Sequence, residues 1–354
     1  DEVRRFFVEN ALYWITEFHI DALRLDAVHA ILDFSPRTFI EELVESVKER
    51  AEELNRRVYL IAESNADDAR LIRPPHSGGY GLDAQWNDDF HHALHFLLTG
   101  ETAGYYQDFS HLRYLIKAVR SGFAYSGEYS RFRGRRRGSS TAGIPAYRFV
   151  VFSQNHDQVG NRPLGDRLSR LVSFESLKLA AGIVLLTPGI PLLFMGDEYG
   201  ETAHFPYFIS HSDPEIIEAV RRGRREEFEA FYNHGVFPDP QDEKTFREAK
   251  LNRRLRTEGS HKVLLDLYTE LIRLRKGIPV FQSFNQEHLE VVGYEKHDLV
   301  FMRRWDEDME VVEVFNFSEA VAAAVLPVPR GSWKKLIDSA EKRWGGSGSR
   351  VPDR

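Results

Sequence analysis

Short apolar runs of strand length recur along this chain, separated by longer stretches of helical period. The first is 21–29, where Ala22, Leu23, Leu25, Ala27 and Val28 surround two charged residues, Arg24 and Asp26. Side chains two apart on a strand share a face, so Arg24 and Asp26 project together from a strand that otherwise reads as buried. Further runs are 57–63, ending on Glu63; 82–86; 147–153, ending just before Gln154, Asn155, His156 and Asp157; and 188–198, a buried strand that ends on acids. Between them the spacing is helical. Residues 1–15 place Val3, Phe6, Phe7, Asn10, Ala11, Trp14 and Ile15 near one face. Ser35 and Pro36 read as the start of a helix over 35–53, with Phe39, Ile40, Leu43, Val44 and Val47 as its buried stripe. Helices are also predicted around 111–121, 168–186 and 261–276.

From 278 the period changes. The runs 289–294, 299–305, 310–316 and 320–328 alternate and are separated by polar turns, which predicts a small antiparallel β domain. The expected organisation is an α/β unit over 1–277, with a long insertion at about 199–250 over the mouth of the unit, and a β domain over 278–354.

Composition narrows the class. A chain of 354 residues can bury one large core and a smaller one. Its 42% hydrophobic and 29% charged residues are those of an ordinary globular protein. A net charge of −7 argues against a general nucleic-acid binder, and no apolar run reaches membrane-spanning length. There is no cysteine, hence no disulfide framework and no thiolate metal site. A cytoplasmic location is the default expectation, with no membrane partner and no cofactor implied.

The candidate chemistry is carboxylate chemistry. Arg24 and Asp26 taken alone fit a structural ion pair as well as a site. Three acids, Asp26, Glu63 and Asp157, at the C-terminal ends of three hydrophobic strands are harder to explain as solvated ends. In a parallel (β/α) barrel such positions converge on one site. His91, His92 and His95 invite a metal reading, but the metalloprotease spacing with an intervening Glu is missing, so zinc is disfavoured. The basic run 131–140 reads as a solvated loop rather than a nucleic-acid contact. Trp86, Tyr80, Tyr105, Tyr106, Phe205 and Tyr207 could stack on sugar rings, although for any one aromatic core packing is the alternative.

The fragments ALRLDAVHA (22–30), LIAES (60–64) and FSQNHDQVG (152–160) resemble three short motifs of the α-amylase clan of retaining glycosidases. Within it, residues 83–92, 155–165, 238–241 and Thr245-Phe246 resemble the malto-oligosyltrehalose trehalohydrolases. The resemblance covers nearly the whole chain. It implies the C-terminal portion of a TIM (β/α)8 barrel, strands four to eight, so the chain is expected to be part of a longer enzyme, with truncation at the C-terminal end as well. It implies Asp26 as nucleophile, Glu63 as acid/base and Asp157 as the third carboxylate, which grips sugar hydroxyls beside His156. The apolar neighbours Ile61 and Ala62 suit the role given to Glu63, and Arg24 is suited to hold Asp26 by opposite charge. His29 corresponds to the acceptor side, with a satisfied loop histidine as its alternative. Arg24, Trp86 and Gln158 join the expected sugar contacts, and Asp88, Asp89 and His91 are associated with the trehalose end. The implied substrate is a maltooligosyl-trehalose or a related α-1,4-glucan. Glucan branching or α-amylase activity is the nearest alternative, and a non-catalytic glucan-binding module a more distant one. Open barrel edges would leave Leu23, Leu25, Leu192 and Phe194 exposed.

Overall fold

The computed structural model of the protein describes residues 2–231, 237–283, 286–321 and 323–353. Ten strands are named in chain order: β1 (Ala22–Leu25), β2 (Tyr59–Ala62), β3 (Ala84–Trp86), β4 (Ser126–Ser130), β5 (Arg135–Gly138), β6 (Phe149–Val151), β7 (Ile190–Pro191), β8 (Leu289–Tyr294), β9 (Leu299–Trp305) and β10 (Glu310–Asn316). Strands β1, β2, β3, β6 and β7 form a five-stranded sheet in that order, every neighbouring pair parallel. Parallel neighbours require crossovers, and helices supply most of them. Helix α1 (Glu2–Glu17) precedes β1, and the crossover helices include α2 (Phe39–Glu53), α3 (Asp88–Thr99) and α4 (Leu112–Ser121).

Helix α2 forms where the sequence puts it, with Ile40, Leu43, Val44, Val47 and Ala51 buried at helical spacing. Its start differs. Thr38 is the cap, accepting from Glu41 N–H while the Glu41 side chain accepts from Thr38 N–H. This reciprocal box satisfies two orphan donors, an arrangement worth about 1 kcal/mol per cap. Ser35 is used elsewhere, bonded to Asp33 and Arg4.

Helix α1 buries only part of the expected face, Ala11 and Ile15, and adds Val8 to it. Val8, Ala11 and Ile15 are buried, whereas Val3, Phe6, Phe7, Tyr13, Trp14 and Phe18 are exposed. The helix carries two apolar stripes, and the small one fits closely against α2.

The helix expected over 168–186 is two, α6 (Leu168–Leu171) and α7 (Phe174–Leu186), with Ser173 capping the second. They follow the single-turn α5 (His156–Gly160). Strand β7 is shorter than predicted. Pro191 has no N–H for a ladder, and the Asp197 carboxylate takes Phe194 N–H at 3.0 Å, closing a turn instead. Leu23, Leu25 and Leu192 are only half-exposed, and Phe194 is buried under Phe205, their rings 5.2 Å apart.

The insertion contains α8 (Pro214–Phe231) and α9 (Glu243–Glu248); residues 232–236 of it lie outside the described set. It comes down on the 156–165 turn. Gly165, at φ 69°, admits the backbone of Phe205 and Pro206 so closely that a Cβ would stand 2.3 Å from it. Helix α10 (Gly259–Gly277) and the short α11 (Pro279–Gln282) lead to an antiparallel sheet in the order β10-β9-β8. No fourth strand forms among the described residues of 320–328, where Val321 and Val325 are exposed and Pro327 lacks a donor. One apolar cluster joins this sheet to the helices, through Ile183, Leu267, Leu271, Val300 and Met302.

The basic run also departs from a solvated loop. Its β5 pairs antiparallel with β4 just before it, and Arg137 is buried between Asp67 and Asp89, at 2.7 and 2.8 Å.

Candidate active site

The register of the parallel sheet fixes one level at its C-terminal edge. Leu25 pairs with Ala62 and Ala62 with Gln85, so Asp26, Glu63 and Trp86, each one residue further on, emerge side by side. Backbone bonds tie this rim together: Glu63 N–H donates to Leu25 O at 2.9 Å, and Val28 N–H to Glu63 O at 3.1 Å. The chain leaves β1 through Ala27, whose φ of 45° is left-handed. That conformation costs an L-residue roughly 1–2 kcal/mol. It is held by Ala27 N–H donating to Glu63 Oε2 at 2.7 Å.

Arg24 lies among these groups. Its Nη1 donates to Asp26 Oδ1 at 2.7 Å, and its Nη2 stands 3.8 Å from Glu63 Oε2. Two carboxyl groups thus address the two ends of one guanidinium. Sequence spacing reveals the first contact. The second was missed, because no cation is adjacent to Glu63 in the chain. The Asp26 side chain is 77% exposed and free to meet a ligand, whereas that of Glu63 is 13% exposed.

A second pair of acids faces this rim. Asp157 is exposed on the first turn of α5, its Oδ1 accepting from Asn161 Nδ2 at 2.7 Å. Asn161 in turn accepts from Arg224 of the insertion at 2.9 Å. The Asn161 contact depends on the single turn α5, and nothing in the sequence connects Arg224 to it. Asp88, half-buried at the start of α3, is pushed up to about 7 by burial, then by the charges of Glu63 and Asp157 and of its neighbour Asp89. It therefore holds a proton near neutrality that an ordinary aspartate has lost.

The sign of that shift gives a stability prediction. The folded chain keeps the Asp88 proton above the ordinary value of 3.8, so this stabilising contribution is complete below 3.8 and lost as pH rises through about 7. Asp88→Asn removes the dependence. Its melting temperature minus that of the parent should be more positive at pH 8 than at pH 5, by thermal melts across the range. A difference that stays level with pH would contradict the burial of Asp88 among like charges.

The other expected contacts divide. His156 is exposed beside Trp86, ring centroids 6.0 Å apart, and His29 is exposed on the turn Val28–Ala30. Gln158 is half-buried, its Oε1 accepting from Asn155 N–H as part of a capping box. Asp89 and His91 do not reach the rim, which corrects the expectation that both touch sugar. Asp89 accepts from Ala124 N–H, Tyr125 N–H and Arg137. His91 Nδ1–H donates to Ser153 O at 2.8 Å, and its Nε2 accepts from Tyr106 OH at 3.2 Å. Burial, then His95, pushes His91 down to about 3, so it is neutral. His95 donates from Nε2 to Glu101 at 2.8 Å, so these histidines belong to a hydrogen-bonded interior. Trp86 is also buried, with 8% exposure, and offers no open face for a sugar ring.

The parallel α/β sheet, followed by a small antiparallel sheet, has counterparts among solved structures of the α-amylase family. A Salmonella typhimurium protein assigned as an alpha amylase superposes with a TM-score of 0.84 at 35% identity, over 95% of this chain and 57% of that one. No family model matches the chain. Among curated proteins, the malto-oligosyltrehalose trehalohydrolase of Saccharolobus solfataricus is 46% identical over 276 residues, 78% of this chain and 46% of that enzyme. That of Arthrobacter ramosus is 48% identical over 282 residues, 79% of this chain and 49% of the enzyme. The chain is a homologue of the malto-oligosyltrehalose trehalohydrolases over most of its length. It spans about half the length of the curated relatives it matches. Among the described residues no helix is long and apolar enough to cross a membrane.

Proposed function

We propose that this chain carries the carboxylate machinery of a retaining glycoside hydrolase that cleaves the α-1,4-glucosidic bond next to the terminal trehalose of a maltooligosyl-trehalose, releasing trehalose. The observation that carries the reading is the Arg24 guanidinium set between Asp26 and Glu63 at aligned strand ends. In the same reading the five parallel strands are strands four to eight of a (β/α)8 barrel within 1–277, and 278–354 is the β domain that follows.

Retaining hydrolysis uses two carboxyl groups about 5–5.5 Å apart, one attacking and one transferring the proton. Asp26 attacks the anomeric carbon of the maltooligosyl part while Glu63 gives its proton to the glycosidic oxygen, which leaves as a hydroxyl of trehalose. Glu63, now a carboxylate, takes a proton from water. That water attacks the same carbon, the bond to Asp26 breaks, and the sugar departs with its original configuration. Arg24 orients Asp26 and steadies Glu63. Asp157 and His156 hold hydroxyls of the reacting sugar and favour its oxocarbenium-like state. Asp88, protonated near neutrality, donates a hydrogen bond to sugar on the trehalose side, with His29 and Gln158 lining the acceptor region.

The test is incubation of the chain with maltotetraosyl-trehalose and, separately, with amylose. Trehalose should accumulate one-for-one with maltotetraose, whose first-formed reducing end is the α-anomer by NMR. Reducing ends from amylose without trehalose would move the assignment to an α-amylase, and new branch points to a branching enzyme. No turnover of either substrate would sink the claim that this chain carries out the reaction.

A further inference from the structure

Trp86 looks like a candidate sugar platform in the sequence, yet its ring is enclosed. The Arg24 guanidinium covers one side, its Cζ 4.3 Å from the ring centroid. Phe152 and His156 pack around the indole, at 5.6 and 6.0 Å. What this ring touches on the open side of the sheet is therefore a cation of the site.

Arg24 needs such a support. Its Nε is buried and, among the described residues, has no hydrogen-bond partner. The guanidinium is therefore tied at its Nη ends alone, to an Asp26 that is largely exposed and to a Glu63 at the longer distance of 3.8 Å. A flat cation so held can swing about its stem. An aromatic face beneath it removes that freedom, because guanidinium stacks on π surfaces and an ammonium does not do so in the same plane. Arg24 lies on β1 and Trp86 ends β3, with Glu63 just past β2 between them, so the stack spans the rim from which the two carboxyls project.

We infer that Trp86 is a positioning residue: its face fixes the plane of the Arg24 guanidinium, and through it the placement of Asp26 relative to Glu63. The inference rests on the proposed glycosidase reading for its effect on turnover, but its structural part stands apart from that reading. The side chain does not contact substrate, so its loss should act on kcat while leaving KM nearly unchanged.

The experiment compares Trp86→Phe, which keeps a π face, with Trp86→Leu, which does not. Trp86→Met serves in place of the leucine variant should that one fail to fold, as judged by circular dichroism and melting. Arginine-15N spectra of each report on Arg24, whose signals are assigned by their loss in Arg24→Lys. The parent and Trp86→Phe should show a ring-current-shifted Arg24 Nε–H signal with slow rotation about Nε–Cζ. In the non-aromatic variant that shift should disappear and rotation become fast. Trehalose release should fall on the order of 10- to 100-fold in kcat for the non-aromatic variant and recover most of the loss in Trp86→Phe. Unchanged Arg24 signals in the non-aromatic variant would overturn the inference, as would an unchanged kcat in a non-aromatic variant that folds. A chain with no activity at all leaves the spectra to decide, and the failure then belongs to the functional proposal.

Discussion

Glu63→Gln is expected to lower kcat for trehalose release on the order of 10²–10⁴-fold, the usual contribution of a positioned proton donor, with little change in KM. The fold should survive, because the amide oxygen can still accept the Ala27 N–H that holds the left-handed turn. Asp26→Asn should be at least as damaging, since it removes the attacking atom itself. Added azide separates the two roles. With Glu63→Ala, a substrate with a good leaving group should still glycosylate Asp26, and azide should then yield the α-glycosyl azide. With Asp26→Gly, azide enters directly from the opposite face and should yield the β-glycosyl azide. The product configurations, read by NMR, assign nucleophile and acid/base independently of rate. Exchanged configurations would reverse the assignment of the two carboxyls, and undiminished activity in Glu63→Gln would remove it from the chemistry.

What the sequence disclosed about this rim follows from the period of a strand. Arg24 and Asp26 are two apart, and Glu63 ends an apolar run, so their positions could be read directly. Asp88 and Asp89 could not be separated in that way. Consecutive helical residues point about 100° apart, and at the first turn of α3 one faces the rim while its neighbour faces the interior. The burial of Asp89 depends on backbone donors at 124 and 125, far along the chain and invisible in any local pattern. Helix α1 shows the same limit in another form. Both its stripes are apolar, and the choice between Phe6 and Val8 is made by what packs against it, not by its own period. The five parallel strands were legible as runs, whereas β7 shrank because of a proline and a carboxylate that closes a turn. The stack of Arg24 on Trp86 was hidden because it joins residues 62 positions apart.

The buried Arg137 is the other place where a single change should have a large effect. Its guanidinium lies between Asp67 and Asp89, with all three side chains at most 4% exposed. Two carboxyls then share one cation in a region with little water. Burial, and then the neighbouring Asp89, raise Asp67 well above its ordinary value, while Arg137 pulls in the opposite direction. Removing one partner of such a group leaves uncompensated buried charge, which costs about 3–5 kcal/mol. Arg137→Met, which keeps the length of the stem without the charge, should therefore lower stability by that order in chemical denaturation. The sign of the pH dependence follows from Asp67. A carboxyl raised in the folded state stabilises it at low pH and ceases to do so as pH rises through the folded value. With the cation gone, Asp67 is raised further, so the loss in Arg137→Met should be smaller at pH 5 than at pH 8. Adding Asp67→Asn should recover part of the loss at pH 8 and little at pH 5. The consequence reaches the rim, because Asp89 is the residue after Asp88 and anchors the first turn of α3 to the β4–β5 pair. A variant that melts like the parent at both pH values would show that the three groups are hydrated together, and the anchor would then have to be sought in the backbone donors at 124 and 125 alone.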